Sequence, residues 1–162
     1  MGRLFGTDGA RGIANKELTC ELAMNIGRAA AMVLINDEVE HPTFLIGKDT
    51  RLSGDMLEAA LTAGLCSVGA QVVSLGVIPT PAVAYLTREY DADAGVVISA
   101  SHNSAEYNGI KIFNANGYKL NDAIEERIED LILVDDSEIR MPTGDDVGTV
   151  TKCDTAVRDY VE

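Results

Sequence analysis

The sequence predicts an α/β fold: a three-layer α/β/α domain built on a mixed, mostly parallel sheet. Short apolar runs next to glycine recur at residues 43–46, 71–75 and 95–98, and such runs read as buried strands. Between them lie longer segments whose apolar residues recur at helical spacing, as expected of helices that pack on a sheet. Strand and helix in alternation imply parallel pairing with helices on both faces. A fourth run, residues 110–113, follows the third after a short connection. One strand is therefore expected to break the parallel pattern.

In chain order, Thr19 can cap a helix over residues 20–35, with Leu22, Ala23, Ile26, Ala29, Ala30, Val33 and Leu34 on one face. The strand at 43–46 follows. Ser53 is the expected cap of the next helix, with Asp55 in its first turn, Leu57, Leu61 and Leu65 on its inner face, and Gly69 at its end. After the strand at 71–75, Thr80 and Pro81 start a helix that runs to about residue 90, proline being favoured at the first helical position. Asn116-Gly117 marks a turn after the fourth strand, and Asn121 or Asp122 opens a last helix to about residue 133. Residues 1–134 thus read as one domain. Residues 135–162 turn polar and acidic, with Pro142, Gly144 and Gly148, and read as a linker and the truncated start of a next domain.

A chain of 162 residues that is 46% apolar can bury a proper core. No apolar run approaches the ~20 residues of a membrane helix, and no basic-then-apolar leader opens the sequence. The three cysteines, Cys20, Cys66 and Cys153, form no CxxC or zinc pattern. Free thiols in a reducing, cytoplasmic setting are expected. The net charge is −13, with 13 of the 26 acids in residues 121–162. That bias argues against nucleic acid as a partner, which calls for a basic stripe, and fits a solvated acidic face.

Chemistry is concentrated after the third strand, where the apolar run stops at Ser99-Ala100-Ser101-His102-Asn103-Ser104. The C-terminal ends of core strands are where α/β sheets place ligands, so Ser101 is a candidate nucleophile. The same residue types also serve turns that only satisfy the backbone. The nucleophile-elbow pattern GxSxG is absent, and the second histidine, His41, stands in a surface turn before Pro42. A hydrolase triad is thus unsupported, whereas phosphoryl transfer needs positioning and charge neutralisation rather than a triad. A phosphorylated serine needs cations nearby. Lys111 lies on the returning strand, and Arg11 lies in a segment with glycines at 6, 9 and 12, which suit close approach to an anion. A third loop, Gly47-Lys48-Asp49-Thr50-Arg51-Leu52-Ser53-Gly54, leads into a helix N-terminus, a place that attracts anions. It lacks the P-loop order, and Asp49 with Arg51 can equally form a structural ion pair. No GxGxxG follows the early strands, so a dinucleotide is not expected.

Taken together, these motifs resemble the α-D-phosphohexomutase superfamily. Its signature (T/S)-A-S-H-N-P followed by N-G-x-K appears as residues 99–104 and then Asn108-Gly109-Ile110-Lys111. The segment Phe5-Gly6-Thr7-Asp8-Gly9-Ala10-Arg11-Gly12 and the loop Gly47-Lys48-Asp49-Thr50-Arg51 are similar to the branch that acts on glucosamine phosphate. The likeness covers residues 3 to about 134. It implies that Ser101 is a phosphoserine, which gives its phosphate to the sugar phosphate and recovers one from a hexosamine 1,6-bisphosphate. It implies catalytic roles for Ser101, His102, Lys111 and Arg11, and phosphate or substrate contacts from Thr7, Asn103, Lys111 and Arg11. Mg²⁺ would be bound through the Ser101 phosphate. The implied partners are a phosphosugar and three further domains of the same protein, with no membrane. The family's metal loop and sugar-recognition loop are not found in these residues, so the chain alone is expected to be inactive. The mannose/glucose branch of the family, or a non-catalytic phosphate-binding module, is the alternative. Ser104 stands where the family has proline, which leaves the loop backbone freer and adds an amide donor.

Overall fold

A computed structural model describes residues 4–7 and 9–161; Asp8, within the expected glycine-rich segment, lies outside the described residues, as do residues 1–3 and 162. The strands are β1 (Ala10–Ile13), β2 (Thr43–Lys48), β3 (Gln71–Val77), β4 (Ala94–Ile98), β5 (Tyr107–Asn114) and β6 (Val150–Lys152). The helices are α1 (Cys20–Asn36), α2 (Ser53–Ser67), α3 (Thr80–Glu89), α4 (Asp122–Leu133) and α5 (Ala156–Val161). One sheet holds the strands in the order β1-β5-β4-β2-β3-β6. β4, β2, β3 and β6 run parallel; β5 is antiparallel to both β4 and β1. The sheet is thus mixed and mostly parallel.

Alternation along the strands divides the core into two layers. Phe44, Ile46, Val96, Ile98, Ile110 and Ile112 pack under α1, α2 and α4. Leu45, Leu75, Val97 and Phe113 face α3 and α5. β4 is buried at every position, as a central strand covered on both faces must be. The expected caps hold for two helices: the side chain of Thr19 accepts from Leu22 N at 3.1 Å, and that of Asn121 from Ile124 N at 2.9 Å. Ser53 is different. It is the first helical residue of α2 rather than its cap, and its hydroxyl instead accepts a hydrogen bond from Asn108 Nδ2 at 2.8 Å.

Two strands appear that the sequence pattern did not show, β1 and β6. β1 forms within the glycine-rich segment, too short for alternation to register. Past α4, residues 135–149 carry one short 3-10 turn, Gly144–Asp146. β6 then pairs with β3 in register, Val72 with Val150 through Ser74 with Lys152. α5 packs on α3, where Tyr160 meets the ring of Tyr85 edge-on at 5.8 Å. The hydroxyl of Tyr90 bonds to Asp159, which also accepts from Thr155 Oγ1 at 3.0 Å. Burial, with the bonds to Asp159 and Cys153, holds the Tyr90 phenol protonated far above its ordinary range. No described helix is long and apolar enough to cross a membrane.

α1 and α2 cross at backbone contact. A Cβ built on Gly64 would lie 2.1 Å from the carbonyl oxygen of Met24. The obstacle is main chain, so the two helices would have to separate. Gly64→Ala is expected to lower unfolding stability by about 1–3 kcal/mol, as measured by urea unfolding of the chain; an unchanged midpoint would show that the helices do not pack this closely.

Candidate functional site

The site is built where β4 hands over to β5. Ile98 pairs with Ile110, and the pairing extends one step further as Ser99 N donates to Gly109 O at 3.0 Å. Residues 100–106 bulge out from this junction. Two turns close the loop, Asn103 N to Ala100 O at 3.1 Å and Tyr107 N to Ser104 O at 3.0 Å. Ser101 sits exposed in the first turn with φ of +55°, a left-handed conformation that costs a side-chain-bearing residue roughly 1–2 kcal/mol. Its amide donates to Ser99 Oγ at 3.1 Å.

β1 delivers the first cation. Arg11 is paired with Gly109 across the β1–β5 ladder, at the root of the Ser101 loop, and its Nη2 donates to Ser101 Oγ at 3.2 Å. Gly9 makes this approach feasible: with φ of +91°, it passes so close to β5 that a Cβ would lie 2.3 Å from the oxygen of Ile110. Gly6 and Gly9 bond to each other, N to O at 3.0 and 3.4 Å, and leave Thr7 exposed in the turn between them.

Arg51 enters from the β2–α2 loop. Nη1 donates to the carbonyls of Ser104 at 2.6 Å and Tyr107 at 3.0 Å. Nη2 donates to those of Ser101 at 3.0 Å and Asn103 at 2.8 Å. Nε donates to Asp49 Oδ2 at 3.1 Å. The ion pair weighed from the sequence is therefore present, but most of the guanidinium serves the serine loop. Buried Asn108 ties the start of β5 to α2 through Ser53, and its Oδ1 accepts from Gly109 N at 2.9 Å. The bonds of Arg51 to the loop carbonyls and of Asn108 to Ser53 join residues 50 to 56 positions apart, and no local pattern announces them.

The other predicted residues lie as follows. His102 and Asn103 stand exposed at the loop tip beside Ser101. Lys111 lies inside β5, opposite Val97, with its ammonium 5.5 Å from the centroid of the Phe113 ring. The structure thus brings Arg11 to Ser101 Oγ and places the Lys111 ammonium against an aromatic ring instead. Lys48 points to α2, where it bonds Asp55 at 2.6 Å and Glu58 at 2.7 Å. Burial alone would push its pKa down; the two carboxylates outweigh that and hold it above the ordinary lysine value. The same bond from Lys48 holds the Asp55 carboxyl below its ordinary range. Among the described residues, no group of three or more His, Cys, Asp or Glu side chains could hold a metal ion.

The sheet, covered by helices on both faces, is an α/β/α domain that carries an exposed serine on a built loop with an arginine at its hydroxyl. The family model described as phosphoglucomutase/phosphomannomutase, alpha/beta/alpha domain I, matches residues 2–138, and the chain belongs to that family. Two curated relatives, both called phosphoglucosamine mutase, are 63% identical in Ruminiclostridium cellulolyticum and 62% identical in Acetivibrio thermocellus, each over 99% of this chain. The chain spans 36% of the length of each. Among solved structures, a phosphoglucomutase/phosphomannomutase family protein from Burkholderia thailandensis superimposes with a TM-score of 0.77 at 26% identity. That match covers 96% of this chain and 34% of the other.

The loop conformation yields a direct test. Ser101→Gly and Ser101→Ala both lose the hydroxyl, but only glycine adopts a left-handed backbone without steric cost. The glycine variant should be more stable than the alanine variant by about 1 kcal/mol in chemical unfolding. Equal stabilities would show that residue 101 does not hold a positive φ.

Proposed function

We propose that the chain is the phosphoserine-bearing first domain of a phosphoglucosamine mutase, a cytoplasmic enzyme that interconverts glucosamine 6-phosphate and glucosamine 1-phosphate. The observation that carries this reading is the exposed Ser101 hydroxyl, held in a fixed loop with Arg11 Nη2 at 3.2 Å. The names of the relatives supply the sugar. In this reading Ser101 carries a phosphate. The C1 hydroxyl of glucosamine 6-phosphate attacks phosphorus, the P–Oγ bond breaks, and the hydroxyl proton passes to a base at the loop, which we assign to His102. The resulting glucosamine 1,6-bisphosphate turns around, Ser101 Oγ attacks its 6-phosphorus, the P–O6 bond breaks, and O6 takes the proton held by His102, which releases glucosamine 1-phosphate and restores the phosphoserine.

Arg11 would neutralise the charge that moves between the two oxygens. Lys111 would join it by leaving the Phe113 ring. A cation–π contact is worth about 0.5–1 kcal/mol at exposed sites, and a charge-assisted hydrogen bond to phosphate about 1.5–3 kcal/mol, so a phosphate within reach would draw the ammonium off. Thr7 and Asn103, both exposed, are the further proposed phosphate contacts. For Mg²⁺ the described residues do not suffice. The phosphate on Ser101 could supply one ligand group, whereas the ion prefers several oxygens in octahedral array, and the nearby Asp49 carboxylate already serves Arg51. Metal and sugar recognition belong to the three further domains that this reading requires.

Two measurements test it in the enzyme carrying all its domains. Peptide mass analysis should find a phosphate on Ser101, and Ser101→Ala should abolish mutase turnover with glucosamine 6-phosphate; full activity in that variant would refute the assignment. Lys111→Met, which keeps the apolar stem, should lower kcat/KM by about ten- to a hundredfold. An unchanged value would mean that Lys111 stays on Phe113 throughout the reaction.

A further inference from the structure

The geometry points to Arg51 as the positioning residue of the Ser101 loop, not a ligand of the phosphate; the catalytic part of this inference rests on the mutase reading above. A guanidinium has five N–H donors and no acceptor. In Arg51 all five are used: one on Asp49 and four on the carbonyls of Ser101, Asn103, Ser104 and Tyr107. Its side chain is only 11% exposed, so water does not compete for these bonds. No donor remains for a phosphate oxygen. The arginine that reaches the serine oxygen is Arg11, with Nη2 at 3.2 Å. The two arginines therefore divide the work: Arg11 faces the transferring group, and Arg51 holds the backbone that presents it.

Arg51 is itself fixed from behind. Its amide and its Nε both donate to the Asp49 carboxylate, each at 3.1 Å, and Asp49 N donates to Ile98 O at 3.1 Å, the last residue of β4. The clamp is thus referenced to the strand from which the loop departs. Carbonyls from four residues converge on one planar cation. Because every described peptide is trans, the amide N–H that follows each of these carbonyls points away from Arg51, including that of Ser104. The rigidity that a proline at position 104 would lend is supplied here by the guanidinium. A turn that would otherwise relax from positive φ at Ser101 is held at the Ser101 carbonyl itself and at those of Asn103, Ser104 and Tyr107 beyond it.

The test compares Arg51→Met, Arg51→Lys and Asp49→Ala. In the 162-residue chain, ¹⁵N relaxation should give rigid amides for residues 101–106 in the parent, with order parameters of about 0.85, and values below about 0.6 in Arg51→Met. Helix signals should be unchanged. Asp49→Ala, which spares all four carbonyl bonds, should leave the loop ordered. Arg51→Lys, with three donors on one nitrogen, should fall between. If Arg51→Met does not fold, the ordering of the loop in Arg51→Lys against Asp49→Ala decides. A loop as rigid without the guanidinium as with it overturns the proposal. In the enzyme with all its domains, misplaced Ser101 should lower kcat by about a hundredfold while KM changes less than about twofold, with partial recovery in Arg51→Lys. A wild-type enzyme without mutase turnover would refute the functional reading, while the relaxation data would still decide the clamp. An active wild type with an equally active, equally ordered Arg51→Met would refute the clamp alone.

Discussion

The antiparallel return of β5 beside β4 is the constraint on which the site depends. In a sheet otherwise wound by parallel crossovers, this one reversal leaves the end of β4 and the start of β5 adjacent, so the connection between them must bulge outward at the mouth of the sheet. It also leaves the outer edge of β5 available for β1, whose pairing of Arg11 with Gly109 puts a guanidinium at the root of that bulge. Serine and arginine, 90 residues apart in sequence, meet because two ladders share a strand.

The cations around this opening are sorted by what surrounds them. Lys48 is held by Asp55 and Glu58, and Glu58 is in turn fixed by the hydroxyl of Ser74 at 2.8 Å. Its charge is thus matched locally and braces β2 against α2. Arg51 is matched by carbonyl dipoles and one carboxylate. Arg11, exposed on the edge strand, turns toward the serine.

Most of the scaffold was legible in the sequence, because buried strands and amphipathic helices are written in local periodicity. β2, β3, β4 and α1 to α4 follow from apolar spacing and caps, and their ends differ from the expected ones by a few residues at most. β1 and β6, of four and three residues, are too short for a pattern and exist only through the strands they join. Ser53 has the composition of a cap, yet Asn108 claims its hydroxyl, a contact across 55 positions. At the candidate site, residue type at a strand end and in a glycine-rich turn made Ser101 and Arg11 candidates, and the structure brings the two side chains within 3.2 Å. The grip of Arg51 on four carbonyls was not, since Asp49 two residues away already accounted for its charge.

The pairing of β6 with β3 bears on how the molecule behaves in concentrated solution. Exposed strand edges are templates for pairing with other chains, and β3 is a parallel strand with buried Val72 and Leu75. β6 occupies that edge with three exposed side chains, among them Lys152, and it is tethered beyond by Cys153 N to Ser74 O at 2.9 Å. A shortened version ending at residue 134 would open this edge to solvent and invite edge-to-edge self-association. The polar stretch before β6 therefore carries a guard strand to the side of the sheet opposite the serine loop, so edge protection and the serine loop lie at different ends of one sheet.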